Sequence, residues 1–421
     1  MQNVLAMILA GGHGKRMDIL CHERPKPILP FAGGFRVIDF SLSNCIHSQI
    51  DRVAVLADHQ RSHIANYLRR WNLINASGRS FHILEPTTDF YKGTADAVYQ
   101  NLEHVQRNRA DRVLVLAGDH IYKMDYRRML AFHDRVKADV TVGVARVPIE
   151  QARRFGTVTT DASGRITDFV EKSGTPLSDL VSMGIYVFNT EALAKRLIED
   201  AALPNSPHDF GYAVIPDMVK RDRVCAFKFE DYWQDIGTIE AYYRTNMELI
   251  LERPSFSLDG GWPVLTENNR LSPPVIPEQG SVRNSIVCPG CVVKGHVENS
   301  VLSPGVCVEE RAEIRDSVLM ANVTVGYHSV VDHCILDEEV NVGKSCYIGF
   351  KAGKFSSKSD ITVLGKRVNV PPNTAIGINC KVLPYVGQAG FTTNMVSSGT
   401  LISPRAEDNA PSTEEKVAIT K

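Results

Sequence analysis

The sequence predicts an α/β protein in which a domain with a Rossmann-like, mostly parallel sheet and helices on both faces precedes a left-handed parallel β-helix of hexapeptide repeats. Two observations predict this order. Short apolar runs alternate with helix-like stretches in the first part of the chain, and apolar residues recur at every sixth position after about residue 275. The alternation is typical of parallel sheets covered by helices, and the six-residue period is typical of parallel β-helices.

Four continuous apolar runs indicate the buried strands of the first domain: residues 4–9, 53–57, 113–117 and 140–144. The helix-like stretches between them include residues 93–106 and 124–137. Ligands of such sheets bind beyond the carboxyl ends of the strands. We therefore expect the functional site around residues 11–16 and around Gly118 and Asp119.

The second domain repeats itself on two scales. Tetrads beginning at Asn284, Asn299, Asp316 and His333 start 15, 17 and 17 residues apart, close to one coil of a three-sided solenoid. The six-residue period predicts which side chains stack inside the coil: Val318, Thr324, Val330, Leu336, Val342 and Ile348, then Leu364, Val370, Ile376 and Val382. Residues 350–360 interrupt the period and are expected to protrude as a loop.

These patterns divide the chain into four predicted segments. They are an α/β catalytic domain over 1–255, a linker over 256–279, a β-helix domain over 280–402 and a disordered tail over 403–421. The tail is polar, contains Pro404 and Pro411 and shows no periodicity.

Composition and charge exclude several classes of protein. The formal net charge is −1 and basic residues do not cluster, which argues against a nucleic-acid partner. No apolar run reaches the roughly eighteen residues of a membrane helix, and the N-terminus lacks the pattern of a signal peptide. The nine cysteines are odd in number and mostly isolated, so we expect reduced thiols in a cytoplasmic protein without a membrane partner.

The glycine-rich turn after the first apolar run can offer backbone N–H groups to a polyphosphate. Gly11, Gly12 and Gly14 permit close approach, although the turn has the spacing of neither a Walker loop nor a dinucleotide fingerprint. Arg16 follows the turn directly and Lys26 follows ten residues later. Two such cations can neutralise the charge of a departing pyrophosphate. The alternative is a turn that only reverses the backbone.

Two aspartates predict a Mg²⁺ site. Asp119 follows the third apolar run directly, and Asp235 occupies a similar strand-to-turn setting. Magnesium is held by few carboxylates together with phosphate oxygens, so two aspartates suffice. The alternative for each is a carboxylate that caps a turn.

Two further segments present groups for a second substrate. Glu171 and Lys172 end an alternating run, where they can bind a sugar hydroxyl and a phosphate, or form a solvated strand end. Gly93 and Thr94 open a predicted helix, with Thr94 near its cap. The N-terminus of a helix can bind an anion, so both are candidate substrate-binding residues.

Taken in this order, the segments resemble the bacterial ADP-glucose pyrophosphorylase family, also called glucose-1-phosphate adenylyltransferase. The resemblance covers nearly the whole chain. It rests on stretches that are specific to this family among the sugar-1-phosphate nucleotidyltransferases: residues 35–45, 91–98, 117–122, 169–172, 182–188 and 232–238.

The resemblance implies a reaction and assigns residues to it. The phosphate oxygen of glucose 1-phosphate would attack the α-phosphorus of ATP, giving ADP-glucose for glycogen synthesis and pyrophosphate. Asp119 and Asp235 would hold Mg²⁺, and Arg16 and Lys26 would face the pyrophosphate. The remaining substrate-binding residues that it implies are Tyr91, Gly118, Gly156, Glu171, Lys172, Ser182 and Gly184.

The resemblance also implies a homotetramer with sugar-phosphate or nucleotide effectors bound where the two domains meet. The sequence departs from the family pattern at four places, one of which is residues 84–90, where the glutamine found near the base in some members is absent. His13 fills a loop position that is often Arg or Lys, and Glu23 stands where several members have a lysine linked to activators. Tyr212 replaces a frequent bacterial lysine.

Two alternatives stay open. One is a non-catalytic regulatory subunit of the same family, against which the presence of Arg16 and Lys26 argues. The other is a different sugar-1-phosphate nucleotidyltransferase, including one that uses His296, His328 or His333 in the β-helix to transfer an acetyl group.

Overall fold

The computed structural model describes residues 3–405, except for residues 13, 59, 76–78, 268–270 and 352–359. Helices in the first part of the chain are α1 (Ile38–His47), α2 (Arg61–Asn75), α3 (Thr94–Tyr99), α4 (Leu102–Arg107), α5 (Tyr126–Val136), α6 (Ile149–Ala152), α7 (Thr190–Ala201), α8 (Ile215–Arg221) and α9 (Ile239–Glu248). Short 3-10 helices occupy Lys15–Cys21, Lys26–Ile28 and, far along the chain, Gln388–Gly390, and a π-helical turn occupies Phe210–Val214. The predicted helix over 93–106 is thus two short helices.

The strands of the same part are β1 (Val4–Leu9), β2 (Pro30–Phe31), β3 (Phe35–Arg36), β4 (Arg52–Leu56), β5 (Ser80–Leu84), β6 (Arg112–Ala117), β7 (His120–Tyr122), β8 (Val140–Arg146), β9 (Gly156–Thr160), β10 (Ile166–Glu171), β11 (Leu180–Asn189), β12 (Val224–Lys228) and β13 (Trp233–Asp235). All four predicted apolar runs are strands of one sheet, so the Rossmann-like core is confirmed.

The main sheet is parallel only in part. Its order is β10-β9-β11-β6-β1-β4-β5, with β8 between β11 and β12. Strands β6, β1, β4 and β5 run parallel, whereas the long strand β11 is antiparallel to β6, β8 and β9. Strands β9 and β10 are joined by only a short turn, and a short turn can join antiparallel strands but not parallel ones. The β9–β10 pair is therefore antiparallel because of its short connection, which the apolar runs did not reveal.

Helices cover both faces of this sheet, as predicted. One core packs α3, α4, α7 and α8 against one face, and the other packs α1, α2 and α5 against the opposite face. The two buried faces explain why the parallel strands have continuous apolar sequences instead of alternating ones.

The second part of the chain forms the predicted β-helix from three parallel sheets. The first sheet contains Ser281–Arg283, His296–Glu298, Glu313–Arg315, Val330–Asp332, Tyr347–Phe350, Ala375–Gly377 and Met395–Val396. The second contains Ile286–Val287, Val301–Leu302, Val318–Leu319, Cys334–Leu336, Thr362–Leu364, Lys381–Val382 and Leu401–Ile402. The third contains Val292–Val293, Cys307–Val308, Thr324–Val325, Asn341–Val342 and Asn369–Val370.

The repeating tetrads mark a corner of each coil. Their first residues, Asn284, Asn299, Asp316 and His333, all have positive φ angles, between 43° and 54°. Asn, Asp and His are enriched in this left-handed conformation. The apolar residues that follow pair from coil to coil in the second sheet, so the predicted coil length is confirmed.

The predicted stacking positions need a correction of one residue in the early coils. Leu319, Val325 and Val331 are buried inside the β-helix, instead of the neighbouring Val318, Thr324 and Val330. From Leu336 onward the prediction holds for every position named. The reason is that the step from Val331 to Leu336 spans five residues, so a uniform six-residue period loses its phase at that corner.

An apolar contact joins the two domains. Met17, Ile19 and Leu20 from the 3-10 helix after the glycine-rich turn pack in one buried cluster with Val318 and Ile335 of the β-helix. Val318 is therefore buried by the first domain and not by the interior of its own coil.

The sequence also predicted a protruding loop, a polar tail and reduced cysteines. The interrupting loop lies mostly outside the described residues, and so does the tail from residue 406. All nine cysteines are unpaired, including Cys288 and Cys291 at one turn. Within the described ranges, every helix is too short or too polar to cross a lipid bilayer.

Candidate active site

A cavity of about 520 Å³ opens at the edge of the sheet where β1, β4 and β6 end. Leu9, Leu56 and Ala117, the last residues of these strands, all line it. Parallel α/β sheets bind ligands at this edge. Most of the predicted site residues also line the cavity: Gly11, Gly12, Gly14, Arg16, Lys26, Tyr91, Gly93, Thr94, Asp119, Glu171, Lys172 and Gly184.

The glycine-rich turn leads from β1 into the 3-10 helix Lys15–Cys21. Gly14 has a φ of 58°, and a methyl group added there would lie 3.0 Å from Cys21 Sγ, so both conformation and space favour glycine. Arg16 is exposed and forms no ion pair with another described residue, which leaves its charge available to a ligand. The departure at His13 lies outside the described residues.

Strand pairing brings the two predicted metal-binding aspartates together. Strands β7 and β13 form a separate antiparallel pair in which His120 is opposite Asp235. Asp119 precedes β7, so its carboxylate meets that of Asp235. Lys26 Nζ lies between them, 2.9 Å from Asp119 Oδ2 and 3.0 Å from Asp235 Oδ1, and Lys26 is only 5% exposed.

The charges in this cluster stabilise one another. Burial alone would raise the pKa of Asp119 and of Asp235, but the Lys26 ammonium outweighs it and holds both pKa values below their usual range. Burial alone would likewise lower the pKa of Lys26, yet the two carboxylates raise it. Both carboxylates are therefore kept ionised beside Lys26, and ionised carboxylates can also bind a divalent cation.

The donor set fits a divalent metal ion. Ligand atoms of Asp119, His120 and Asp235 all lie within 4.8 Å of one another. Carboxylate oxygens are the ligands that hard divalent cations prefer, and the position of Lys26 shows that the two carboxylates share a cation. Arg154 Nη2 also reaches Asp235 Oδ2, at 3.2 Å, and orients that carboxylate from the other side.

A second group of polar residues lines another part of the cavity. The Glu171 carboxylate lies between two glycines, since a methyl group on Gly156 or Gly211 would be 2.5 or 2.6 Å from its Oε2. Lys172 has a positive φ of 46°, and its Nζ lies 2.9 Å from Glu171 Oε1. The same ammonium lies 5.3 Å from the ring centroid of Tyr212, a cation–π geometry. The ion pair with Glu171 and the cation–π contact with Tyr212 together position the Lys172 ammonium.

Two backbone amides at the start of α3 are already hydrogen-bonded within the protein. The N–H groups of Ala95 and Asp96 both donate to the His208 carbonyl, at 3.0 and 3.1 Å. Gly93, not Thr94, precedes the helix, and Thr94 Oγ1 donates to an aspartate of a neighbouring loop. The neighbouring loop thus satisfies two donors of this helix start, and the anion-binding interpretation of Gly93 and Thr94 stays a prediction.

Comparisons with known proteins cover both domains. The sequence profile of the Nucleotidyl transferase family matches residues 5–252, and a GlmU-like, C-terminal hexapeptide profile matches residues 275–361. The chain is 40% identical over 413 residues to a glucose-1-phosphate adenylyltransferase of Acetivibrio thermocellus, with 94% of this chain and 97% of that relative covered.

Relatives from other bacteria give the same result. Over 395 residues the chain is 42% identical to a glucose-1-phosphate adenylyltransferase of Fervidobacterium nodosum, covering 90% of this chain and 95% of the relative. The relative from Thermotoga neapolitana is 40% identical over 443 residues, with 97% and 100% covered. The chain belongs to the glucose-1-phosphate adenylyltransferase family. The resemblance inferred from the motifs is confirmed, and with it the assignment as a nucleotidyltransferase.

Four residues predicted for this adenylyltransferase-type site lie behind the cavity wall: Gly118, Gly156, Ser182 and Asp235. Gly118 allows β6 to end close to β1, since an added methyl group would lie 2.9 Å from the Leu9 carbonyl oxygen. Ser182 Oγ accepts a hydrogen bond from the backbone N–H of Gly184 at 3.2 Å. In this structure these residues support the wall and do not form it.

Sequence reasoning missed two charged residues of the site. Asp58 lines the cavity and accepts a hydrogen bond from the Tyr91 backbone N–H at 3.1 Å. It follows β4 as Asp119 follows β6, so the same strand-end signal would have found it. Arg154 gave no such signal, because its contact with Asp235 depends on tertiary structure alone.

Proposed function

We propose that the protein transfers the adenylyl group of ATP to glucose 1-phosphate and releases pyrophosphate. The observation that carries this proposal is a cluster in which Lys26 and Asp119 line the cavity together with Arg16, and Asp235 contacts Lys26 from behind the wall. Such a cluster can hold a metal–triphosphate complex and neutralise the leaving group. Glu171 and Lys172 provide a separate place for a sugar phosphate in the same cavity.

The proposed chemistry is a direct displacement at the α-phosphorus. Lys172 would bind the phosphate of glucose 1-phosphate and Glu171 a sugar hydroxyl, which orients the attacking oxygen. Arg16 and Lys26 would neutralise charge that develops on the departing pyrophosphate. A divalent cation held by Asp119 and Asp235 would supply Lewis-acid polarisation of the phosphates.

The cavity wall supports displacement without a covalent enzyme intermediate. Among the described residues that line it there is no serine, cysteine or histidine, and the Thr94 hydroxyl is hydrogen-bonded to Asp209 at 2.8 Å. Positioning and charge neutralisation are then the means by which this site would accelerate the reaction.

The family resemblance supports three finer parts of the proposal. They are Mg²⁺ as the divalent cation, a homotetrameric assembly, and regulation by sugar-phosphate or nucleotide effectors. ADP-glucose made in this way would supply glycogen synthesis.

The β-helix histidines do not favour the acetyl-transfer alternative. His333 contacts Tyr243 and Asp360, at 3.1 and 3.0 Å, and His296 contacts Ser281 at 2.7 Å. His328 is an exposed residue at a coil corner with a φ of 57°. His328 and His333 thus lie at coil corners, and His296 begins a strand of the first sheet and is bonded to the neighbouring coil.

The proposal is tested by incubating the purified chain alone with ATP, glucose 1-phosphate and Mg²⁺ and measuring pyrophosphate release. We expect many turnovers per chain and loss of the rate when EDTA is added. A rate no higher than that of the Lys26→Met variant would identify a non-catalytic subunit instead.

Substitution of Tyr212 is expected to weaken binding of glucose 1-phosphate. Tyr212→Ala removes the ring that faces the Lys172 ammonium, so KM for glucose 1-phosphate should rise about fivefold while kcat changes little, since a cation–π contact contributes roughly 1 kcal/mol. Steady-state kinetics with glucose 1-phosphate varied at saturating ATP checks this.

Tyr327→Ala is the matched control for that variant. Tyr327 is also an exposed tyrosine with a cation, Arg311, 5.7 Å from its ring centroid, but it lies in the β-helix. An equal rise in KM for both variants would contradict a specific role of Tyr212.

A further inference from the structure

The segment from Lys15 to Ile28, called here the cation segment, carries both Arg16 and Lys26 and lies against the β-helix. Besides the apolar contact described above, three of its described side chains, those of Asp18, Glu23 and Arg24, form polar contacts with that domain. Asp18 Oδ2 accepts from Lys381 Nζ at 2.7 Å, and Glu23 Oε2 accepts from the Tyr385 hydroxyl at 3.0 Å. The third contact, made by Arg24, differs from these because it is buried.

Arg24 is enclosed between the domains and is only 4% exposed. Its Nη2 lies 2.7 Å from Asp337 Oδ1 and 3.2 Å from Glu338 Oε2, both in the β-helix. Its Nη1 donates to the Leu20 carbonyl at 3.3 Å, within the cation segment itself. One guanidinium thus joins the segment to two carboxylates of the other domain. A buried charge of this kind stays in place because an alternative position would leave it unpaired.

Of the two carboxylates that receive Arg24, Glu338 is held by further cations. Glu338 also accepts from Arg36 Nη1 at 2.9 Å and from Lys366 Nζ at 3.3 Å. Burial alone would raise the pKa of Glu338, but these cations and Arg24 lower it to about 2, so the carboxylate is ionised at neutral pH. The β-helix therefore presents an ionised Glu338 to the cation segment, beside Asp337, whose pKa is raised by burial although Arg24 opposes that shift.

Only one residue separates Arg24 from Lys26. That residue is Pro25, and Pro27 follows Lys26, so the lysine lies between two residues whose φ is fixed by a ring. The Lys26 carbonyl also accepts from the Leu29 backbone N–H at 3.0 Å. A displacement of Arg24 would accordingly be transmitted to Lys26 and not absorbed between them.

We infer that Arg24 is a positioning residue for the transfer reaction, held by Asp337 and Glu338 so that Lys26 meets Asp119 and Asp235. The inference rests on the proposed function. It assigns the β-helix a part in the catalytic geometry of the first domain, through a side chain that touches neither substrate. Loss of this contact should then reduce turnover more than it reduces binding of glucose 1-phosphate, whose proposed ligands Glu171 and Lys172 lie at and just beyond the end of β10.

The test compares kcat and KM of Arg24→Gln and Glu338→Gln with those of the unchanged chain, together with melting temperatures. We expect kcat to fall about 10- to 100-fold in Arg24→Gln, in keeping with a misplacement of about 1 Å, with KM for glucose 1-phosphate nearly unchanged. Arg24→Lys, which keeps the charge, should recover part of the rate. Glu338→Gln keeps the Arg24–Asp337 pair, so it should show a smaller fall and carries the test if Arg24→Gln does not fold.

Tyr243→Phe is the matched control for a contact that joins the domains outside the cation segment. The Tyr243 hydroxyl donates to the Asp316 carbonyl and lies 3.1 Å from His333 Nδ1. This variant should lower the melting temperature without changing kcat. If folded Arg24→Gln and Glu338→Gln keep the kcat of the unchanged chain, or lose no more than Tyr243→Phe, the inference is overturned. Absence of pyrophosphate release from the unchanged chain would instead overturn the proposed function and the inference with it.

Discussion

Replacement of Asp119 with asparagine is expected to lower kcat for pyrophosphate release about 1,000-fold, equivalent to about 4 kcal/mol of transition-state stabilisation. The change keeps the size of the side chain but removes one of the two charges that would hold the divalent cation. It also removes one of the two carboxylates that hold Lys26. Because Glu171 and Lys172 are untouched, KM for glucose 1-phosphate should change little.

The measurement is steady-state kinetics with a parallel metal-binding titration. Asp119→Asn should bind Mn²⁺ more weakly than the unchanged chain, a readout that does not depend on turnover. Asp179→Asn is the control, since Asp179 forms an exposed ion pair with Arg146 away from the cavity. Equal kcat for Asp119→Asn and Asp179→Asn would refute the role of Asp119.

Replacement of Lys26 with methionine is expected to lower kcat about 100- to 1,000-fold, because the variant loses a fixed charge aimed at the leaving pyrophosphate. The length of the side chain is retained, so packing is largely preserved. Asp235, which is buried, keeps its contact with Arg154 but loses the nearer ammonium. A lower melting temperature should therefore accompany the loss of rate.

Lys294→Met provides the matched control for this variant. Lys294 is also paired with a carboxylate, that of Glu309 at 3.0 Å, but it lies in the β-helix outside the cavity. It should retain the kcat of the unchanged chain. A full rate in Lys26→Met would show that the cavity cluster is structural.

Much of the fold could be predicted because its signals are local and periodic. Continuous apolar runs identified the buried strands, and the repeated tetrads identified the coils of the β-helix. The antiparallel direction of β11 was not predicted, since an apolar run has the same composition in either direction. The five-residue step from Val331 to Leu336 was not predicted, because a strict six-residue period cannot reveal where a coil is one residue shorter.

Residues of the candidate site could be predicted where a charged residue or a glycine directly follows a predicted strand or a glycine-rich turn. Asp119, Arg16 and the glycines satisfied that condition. Lys26 and the two aspartates were predicted for one site from their residue types, whereas the contact of Lys26 with both carboxylates depends on the pairing of β7 with β13. Arg24 and Arg154 could not be found in this way, because their partners lie far away in the sequence.

The most direct test of the proposed adenylyl transfer is pyrophosphate release from glucose 1-phosphate with ATP, UTP, GTP or dTTP, with the sugar nucleotide product identified in each reaction. We predict that ATP gives the highest kcat/KM and that the product is ADP-glucose. Equal or higher kcat/KM with UTP or dTTP would contradict this account.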